Sequence, residues 1–509
     1  MKLVDRHAVC ALSFGLLLLF LNISSAQAPD TFWTKTYGGS DGEIGESVRQ
    51  TADGGYIIAG YTYSNNVFLN DIYLVKTDAG GTATWIREYG GDSVEWGHAI
   101  DITSDGDYII TGETWRRGRD RRDIYLIKIN ANGDSLWVEE YGGTRKEIGY
   151  SVQQTTDGGY IITGSTTTYG PNTPDYSNIY LVKTDVVGGV DWTQVYGGTY
   201  NDFGSSVKQT SDGGYIVAGQ TYSDVSLYID LWLLKTDANG DTIWAKLYGG
   251  TSSDGARSVQ QTLDGGYIIA GYTSSFGAGQ LDMWLLRTDA NGDTMWARTF
   301  GGASNDFALS VDTTADGGYI VAGYTYSFGA GDQDFYIVKT NADGDMLWSK
   351  TVGSSGAERA VSIQQTSDSG YIITGYNWSI TKDYDVYLVK LEPDLVGVYE
   401  RDMLAPCAEL TIEPNPFREK TKIRYMIHDT GCTMQDFSIK IYDVNGRLVY
   451  DFPRTTLDLS RSLQQRDALH STVTWDGTDR ANRPLPSGVY FVRLKINNYK
   501  ETRQVLFIK

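Results

Sequence analysis

Seven times between Asp53 and Tyr371 the chain writes Asp-Gly-Gly-Tyr, or a near copy, followed by an apolar run: at Asp53, Asp105, Asp157, Asp212, Asp264, Asp316 and Asp368. The step is 52 residues, once 55. A fixed period of this length, rich in β-branched and aromatic residues, describes a propeller or solenoid built from one supersecondary unit. The unit from Trp192 to Asp237 reads as four short strands: Trp192 to Tyr196, Ser206 to Thr210, Tyr215 to Gly219 and Leu231 to Lys235. Gly, Asp and Asn separate them, which is how strands are bounded in sequence. The expected fold class is all-β.

The two ends of the repeat array do not match. The strand tryptophans are Trp33, Trp85, Trp137, Trp192, Trp244, Trp296 and Trp348, so one precedes the first Asp-Gly-Gly-Tyr and none follows the last. The last unit therefore ends at Tyr387 to Lys390 without a fourth strand, while Phe32 to Tyr37 has no earlier strand to pair with. Each end supplies what the other lacks. A closed ring needs that offset and leaves no open sheet edge, so the spacing predicts a seven-bladed β-propeller over residues 27–394, closed by the N-terminal strand.

Residues 1–26 have the layout of a secretory signal peptide: Lys2 and Arg6, an apolar run from Ala8 to Leu21, then small residues to Ala26. The run is shorter than the ~20 residues of a membrane helix, so no transmembrane segment is expected in the mature chain. Cys10 lies in this run, which leaves Cys407 and Cys432, whose pairing sequence does not decide. A net charge of −20 argues against nucleic acid as a partner, because phosphate binding needs clustered Lys and Arg. The expected location is extracytoplasmic, secreted or attached to the cell surface.

The repeat stops at residues 395–409, read as a linker around Pro406 and Cys407. Residues 410–509 are again β but not repetitive, with alternating apolar positions in Lys422 to Met426, Phe437 to Tyr442, Gly488 to Leu494 and Gln504 to Ile508. This pattern suggests an Ig-like β-sandwich. Asn415-Pro-Phe417, Ile441 to Arg447, Trp475-Asp-Gly477, Ser487 to Phe491 and the terminal Phe507-Ile-Lys509 resemble the C-terminal sorting domain of the bacterial type IX secretion system. They also resemble the similar Ig-like domain of the flagellar hook-capping protein, toward which the long segment from Asp451 to Ser471 leans. The resemblance implies export, with secretion machinery as the partner of this domain. The repeats resemble bacterial β-propeller repeats in general, which implies a fold and no chemistry.

Candidate sites follow from the repeat and from departures from it. One acid precedes each inner strand: Glu43, Glu95, Glu147, Asp202, Asp254, Asp306 and Glu358. Seven carboxylates at a channel mouth would suit Ca2+ or a cationic ligand; the plainer alternative is that each accepts backbone N–H bonds within its own sheet. A second acidic set, Asp71, Asp123, Asp230, Asp282, Asp334 and Asp385, precedes the Lys-bearing strands, with Asn178 in the third unit. The second unit carries a basic cluster, Arg116, Arg117, Arg119, Arg121 and Arg122, whose guanidinium forks match carboxylates and phosphates; a solvated loop is the plainer reading. Tyr169 and Tyr176 in the third unit and Trp378 in the seventh complete the ligand-binding candidates.

Catalysis finds little support. The four histidines, His7, His98, His428 and His470, assemble neither a metal site nor a Ser-His-Asp arrangement. The expected function is a non-enzymatic binding or adhesion module for a surface polysaccharide or protein, with no cofactor beyond Ca2+. A glycosidase or lyase using acids at the channel mouth, and a purely structural envelope component, are the alternatives.

Overall fold

The computed structural model describes residues 28–39, 41–63, 70–115, 121–171, 176–222, 228–379, 382–394, 408–427, 437–443, 447–452, 469–496 and 499–509. The signal-like segment and Cys10, Cys407 and Cys432 lie outside the described residues, as do Arg116, Arg117 and Arg119. The chain divides into two compact units, with the boundary after Asp394.

The first unit consists of seven four-stranded antiparallel sheets. Six are runs of consecutive strands, such as Glu43–Gln50, Tyr56–Thr62, Asp71–Thr77 and Ala83–Tyr89. The seventh joins the two ends of the array: Thr31–Tyr37 lies beside Lys382–Leu391, which pairs with Tyr371–Ser379 and then Ala357–Gln365. Its register sets Trp33 opposite Lys390 and Thr36 opposite Tyr387. A sheet of four antiparallel strands, repeated side by side, is the unit of a β-propeller.

Burial explains the sequence of each strand. The second and third strands carry unbroken apolar runs because neighbouring sheets cover both their faces, as in Tyr267–Thr273 and Asp282–Thr288, buried throughout. Outer strands such as Ala83–Tyr89 are largely exposed. Each strand tryptophan packs on the Asp-Gly-Gly-Tyr tyrosine of the following sheet, with ring centroids 5.8 Å apart for Trp192 and Tyr215. Trp33 and Tyr56, at 5.9 Å, repeat that contact between the seventh sheet and the first. The array closes on itself through the device that joins its interior members.

The aspartate of Asp-Gly-Gly-Tyr meets the basic residue of the third strand in every unit. Lys76 Nζ lies 2.8 Å from Asp53 Oδ2, Lys339 Nζ 2.8 Å from Asp316 Oδ2, and Arg287 replaces lysine against Asp264. Burial would push the Asp53 carboxyl up, but hydrogen bonds from Lys76, Thr51 and Gly55 outweigh it and hold it at about 2. A buried ammonium is tolerated here because a carboxylate and a carbonyl accept its hydrogen bonds.

The inner strands would expose unpaired N–H groups, and side chains of the neighbouring sheet cover them. Val48 N donates to Ser362 Oγ, Val207 N to Ser151 Oγ and Val311 N to Ser258 Oγ. Two residues further along, Gln50 N donates to Gln364 Oε1 and Gln209 N to Gln153 Oε1. The serine that recurs in these strands is therefore an edge cap.

The second unit has two antiparallel sheets, one of Ala408–Glu413, Thr421–Ile427 and Leu469–Trp475, the other of Leu448–Asp451, Phe437–Tyr442, Gly488–Ile496 and Tyr499–Phe507. Leu410, Ile423, Ile439, Val492 and Val505 share one core with Phe417, Trp475 and Phe507. Motif residues of this unit lock together. Phe417 stacks on Phe507 at 5.0 Å and tilts against Trp475 at 5.4 Å, while Asn415 donates to Gln504 O and accepts from Leu506 N. Gly477 has a φ of +74, and a Cβ there would lie 2.5 Å from the Phe507 ring. Packing accounts for these residues.

Candidate functional site

The inner strands surround a channel with a cavity volume of ≈ 1210 Å3. Pockets for drug-sized ligands measure roughly 300–1,000 Å3, so this space admits a longer molecule. Its lining follows from one irregularity. In every inner strand the pairing register shifts at the fourth residue counted from the leading acid: Gly45 and Ser47 face Gly60 and Ala59, which leaves Glu46 without a cross-strand partner. The same shift leaves out His98, Tyr150, Ser205, Arg257, Leu309 and Val361. These are β-bulges, which re-aim a side chain, and all seven bulge residues line the channel. The glycine opposite each bulge is obligatory, because a Cβ on Gly60 would lie 1.7 Å from Ile44 O.

Just beyond that glycine the second strand carries Tyr61, Glu113, Ser165, Gln220, Tyr272, Tyr324 and Tyr376, of which Gln220, Tyr324 and Tyr376 line the channel. Tyrosine occupies the position in the fifth, sixth, seventh and first sheets, which are consecutive around the ring. Along this arc the Arg257 guanidinium sits 5.6 Å from the Tyr272 ring centroid and that of Arg359 4.5 Å from Tyr324. Phe307 stacks on Tyr324 at 4.8 Å. Burial pushes the Tyr376 hydroxyl up to about 12 against the pull of Arg359, and it pushes Tyr61 further; both remain proton donors.

The opposite arc is different. Arg122 binds Glu113 through both carboxylate oxygens, at 3.1 and 2.9 Å, and lies 5.0 Å from the Trp96 ring centroid. His98 Nε2 is buried and 3.8 Å from Glu113 Oε1, too far for a hydrogen bond. Deeper in, Arg49 approaches Asp101 at 3.8 Å, and Lys208 is lowered by burial and by Arg49, with Asp101 and Asp312 opposing. Asp312 is raised by burial although Gln365 N and Thr313 N donate to it. This deeper layer balances two cations against two acids.

The acids that lead the inner strands are buried and hydrogen-bonded by nearby loop and strand groups. Glu43, Glu95, Glu147, Asp202, Asp254, Asp306 and Glu358 are all buried. Glu147 accepts Gly143 N at 2.9 Å and Thr166 Oγ1 at 2.8 Å; Glu95 accepts Thr114 Oγ1, and Asp254 accepts Gly250 N and Ser275 Oγ. Glu43, Asp202, Asp306 and Glu358 accept Gly39 N, Gly198 N, Gly302 N and Ser354 N. Among the described residues no three His, Cys, Asp or Glu gather so as to hold a metal ion. These bonds follow the plainer of the two readings that spacing offers, since a buried carboxylate takes the nearest N–H and O–H groups. The second acidic set abuts the first across the Tyr-Gly-Gly turn: a Cβ on Gly90 would lie 1.8 Å from Asp71 Oδ1 and 3.0 Å from Glu95 Oε2.

The other candidates among the described residues belong to different sheets, the second, third and seventh. Arg121 Nε donates to both oxygens of Asp123, at 3.0 and 2.8 Å, and Arg122 is engaged by Glu113. Tyr169 donates to Gly142 O and packs on Tyr180 at 5.6 Å; Tyr176 packs on Tyr200 at 5.5 Å; Trp378 stands half-buried in the seventh sheet. What spacing left unnoticed is the bulge set. Its signal was present: the residue after the bulge is serine in six of seven repeats, while Glu46, His98, Tyr150, Ser205, Arg257, Leu309 and Val361 are all different.

A family model described as a domain of unknown function (DUF5122) beta-propeller matches residues 314–346. The matched stretch and the repeated four-stranded sheets define the class: the first unit is a β-propeller. Regulatory protein FlaEY of Caulobacter vibrioides is 27% identical over 225 residues, which cover 38% of this chain and 23% of that protein. The chain thus spans about a quarter of the curated relative it matches. PorZ of Porphyromonas gingivalis, described as an essential bacterial surface component of the type-IX secretion system, is 13% identical, with a TM-score of 0.43 over 90% of this chain and 58% of that one. The Pan2 WD40 domain of Neurospora crassa is 11% identical, with a TM-score of 0.44 over 72% of this chain and 96% of that one.

Proposed function

We propose that the chain is an exported protein whose seven-bladed β-propeller is a non-enzymatic binding module, with its ligand in the central channel. The observation that carries this reading is the bulge set. A scaffold that repeats its packing and ion pairs seven times, and keeps serine after the bulge in six repeats, varies the one side chain per sheet that each bulge turns into the channel. Departures from a repeat at accessible positions mark a specific site better than any feature common to all repeats. The use of the leading acids as loop caps favours binding over a glycosidase or lyase built on them.

The signal-like residues 1–26 support export. The motifs from Asn415 to Lys509 support an Ig-like sorting domain, of the type IX or the similar hook-cap kind, that directs secretion and surface display. Surface polysaccharide or protein is the expected ligand class. A glycan array probed with the full chain and with Ser205→Trp, which narrows the channel, tests the binding reading; the same spots are assayed for cleavage. Retention by the wild type alone, without product, is the expected result, and equal retention by the variant or release of product would contradict it. Attaching residues 410–509 to a reporter in a type IX-competent host tests the sorting role.

A further inference from the structure

Resting on the reading of the channel as the binding site, we infer that the arc around Arg257 and Arg359 receives an acidic saccharide, with its carboxylate or sulfate ester held between the two guanidinium groups. The two arginines come from the fifth and seventh sheets, on either side of Leu309 of the sixth. Each is steadied by an aromatic ring, Tyr272 or Tyr324, and Arg359 also donates to Gln333. Neither forms a salt bridge among the described residues, whereas Arg49, Arg121 and Arg122 all do. In a chain of net charge −20, cations left without carboxylates beside an accessible cavity point to an anion from outside.

Neighbouring groups fit the rest of such a ligand. Tyr324 and Tyr376 line the same arc, and Ser205, Gln220, Gln260 and Gln364 add neutral hydroxyl and amide groups. A hydroxylated chain uses these groups as paired donors and acceptors. The strand-addition route open to an extended peptide requires a free strand edge for main-chain pairing. The inner-strand N–H groups of Val48, Gln50, Val207, Gln209, Val259 and Val311 are already taken by side chains of the preceding sheet. The cavity of ≈ 1210 Å3 suits several sugar rings and exceeds a single small anion.

Titration calorimetry of the full chain with tetrasaccharides of galacturonate, mannuronate and guluronate, their methyl esters, sulfated galactotetraose and plain galactotetraose tests this. At least one charged probe should bind roughly tenfold or more tightly than its neutral counterpart, with affinity falling as salt rises. Arg257→Gln and Arg359→Gln should each remove roughly tenfold or more of that affinity. Arg257 faces the channel and carries no ion pair, so its variant should melt with the wild type even if Arg359→Gln does not. Uronate against sulfate ester identifies the source of the charge. Equal binding of charged and neutral probes, or charged binding unaffected by Arg257→Gln, overturns the acidic ligand. If Ser205→Trp still abolishes that binding, the channel reading survives alone. No binding of any saccharide overturns both.

Discussion

Removing the two halves of a buried ion pair should have unequal consequences. The Lys339 side chain is 0% exposed while that of Asp316 is 35% exposed, at 2.8 Å, and the ammonium also donates to Thr340 O at 3.0 Å. Asp316→Asn keeps an acceptor for Gly318 N and Thr314 Oγ1 but leaves a buried ammonium uncompensated. Breaking a buried pair from one side costs about 3–5 kcal/mol. Water that reaches the half-exposed carboxylate site puts this case at the low end, about 3 kcal/mol. Lys339→Met fills the same volume with apolar atoms and leaves Asp316 to solvent. Its cost is the donor lost by one carbonyl, about 1 kcal/mol. Urea unfolding followed by tryptophan fluorescence on the full chain should therefore rank wild type, Lys339→Met and Asp316→Asn in falling stability, with the double variant near Lys339→Met. Lys339→Met proving as damaging as Asp316→Asn would refute the reasoning, because the pair as a whole would then be the stabiliser.

Further outcomes follow from the same geometry. Asp53 is held at about 2 from 3.8, so its contribution is complete above pH 4 and is lost as pH falls toward 2. The melting difference between wild type and Asp53→Asn should be constant from about pH 7 to 5 and shrink below 4; a difference still undiminished near pH 2 contradicts the assignment. Gly323→Ala drives a Cβ to 1.8 Å from Phe307 O and should cost roughly 3 kcal/mol, whereas Gly317→Ala, with φ +82 and open space around it, should cost about 1 to 2, both read by chemical unfolding. Trp33→Ala and Trp192→Ala should lower the melting temperature alike, since each ring packs on the next tyrosine at 5.9 and 5.8 Å. A frayed N-terminal strand would make the first substitution nearly silent.

The strand order within each sheet and the pairing of the two ends were legible because both depend on counting. Seven tryptophans displaced by one unit from seven Asp-Gly-Gly-Tyr motifs leave Phe32 to Tyr37 a single partner, and Trp33 faces Lys390. The candidate site was not legible in the same way. Spacing put seven acids near one end of the inner strands, but direction depends on loop geometry: Gly143 N and Thr166 Oγ1 turn Glu147 inward. The bulges were hidden for a related reason. A period-two pattern assigns faces only while the register is continuous, and the shift at Glu46 reverses the face of every residue on one side of it. The lining shows in the sequence only as difference: the bulge position varies in every repeat while the serine after it recurs in six.

Closure of the ring by the first strand decides whether the seven bulges share one channel, and a paired crosslink measures it. Thr34 faces Val389 across the join, and Thr193 faces Val182 at the equivalent position of the third sheet, whose strands are consecutive. With Cys407 and Cys432 replaced by serine, each pair is changed to cysteine, oxidised mildly and mapped by mass spectrometry of unreduced peptides. Closure predicts that Thr34→Cys with Val389→Cys forms its bond to the same extent as Thr193→Cys with Val182→Cys. A bond in the third sheet and none across the join would contradict it.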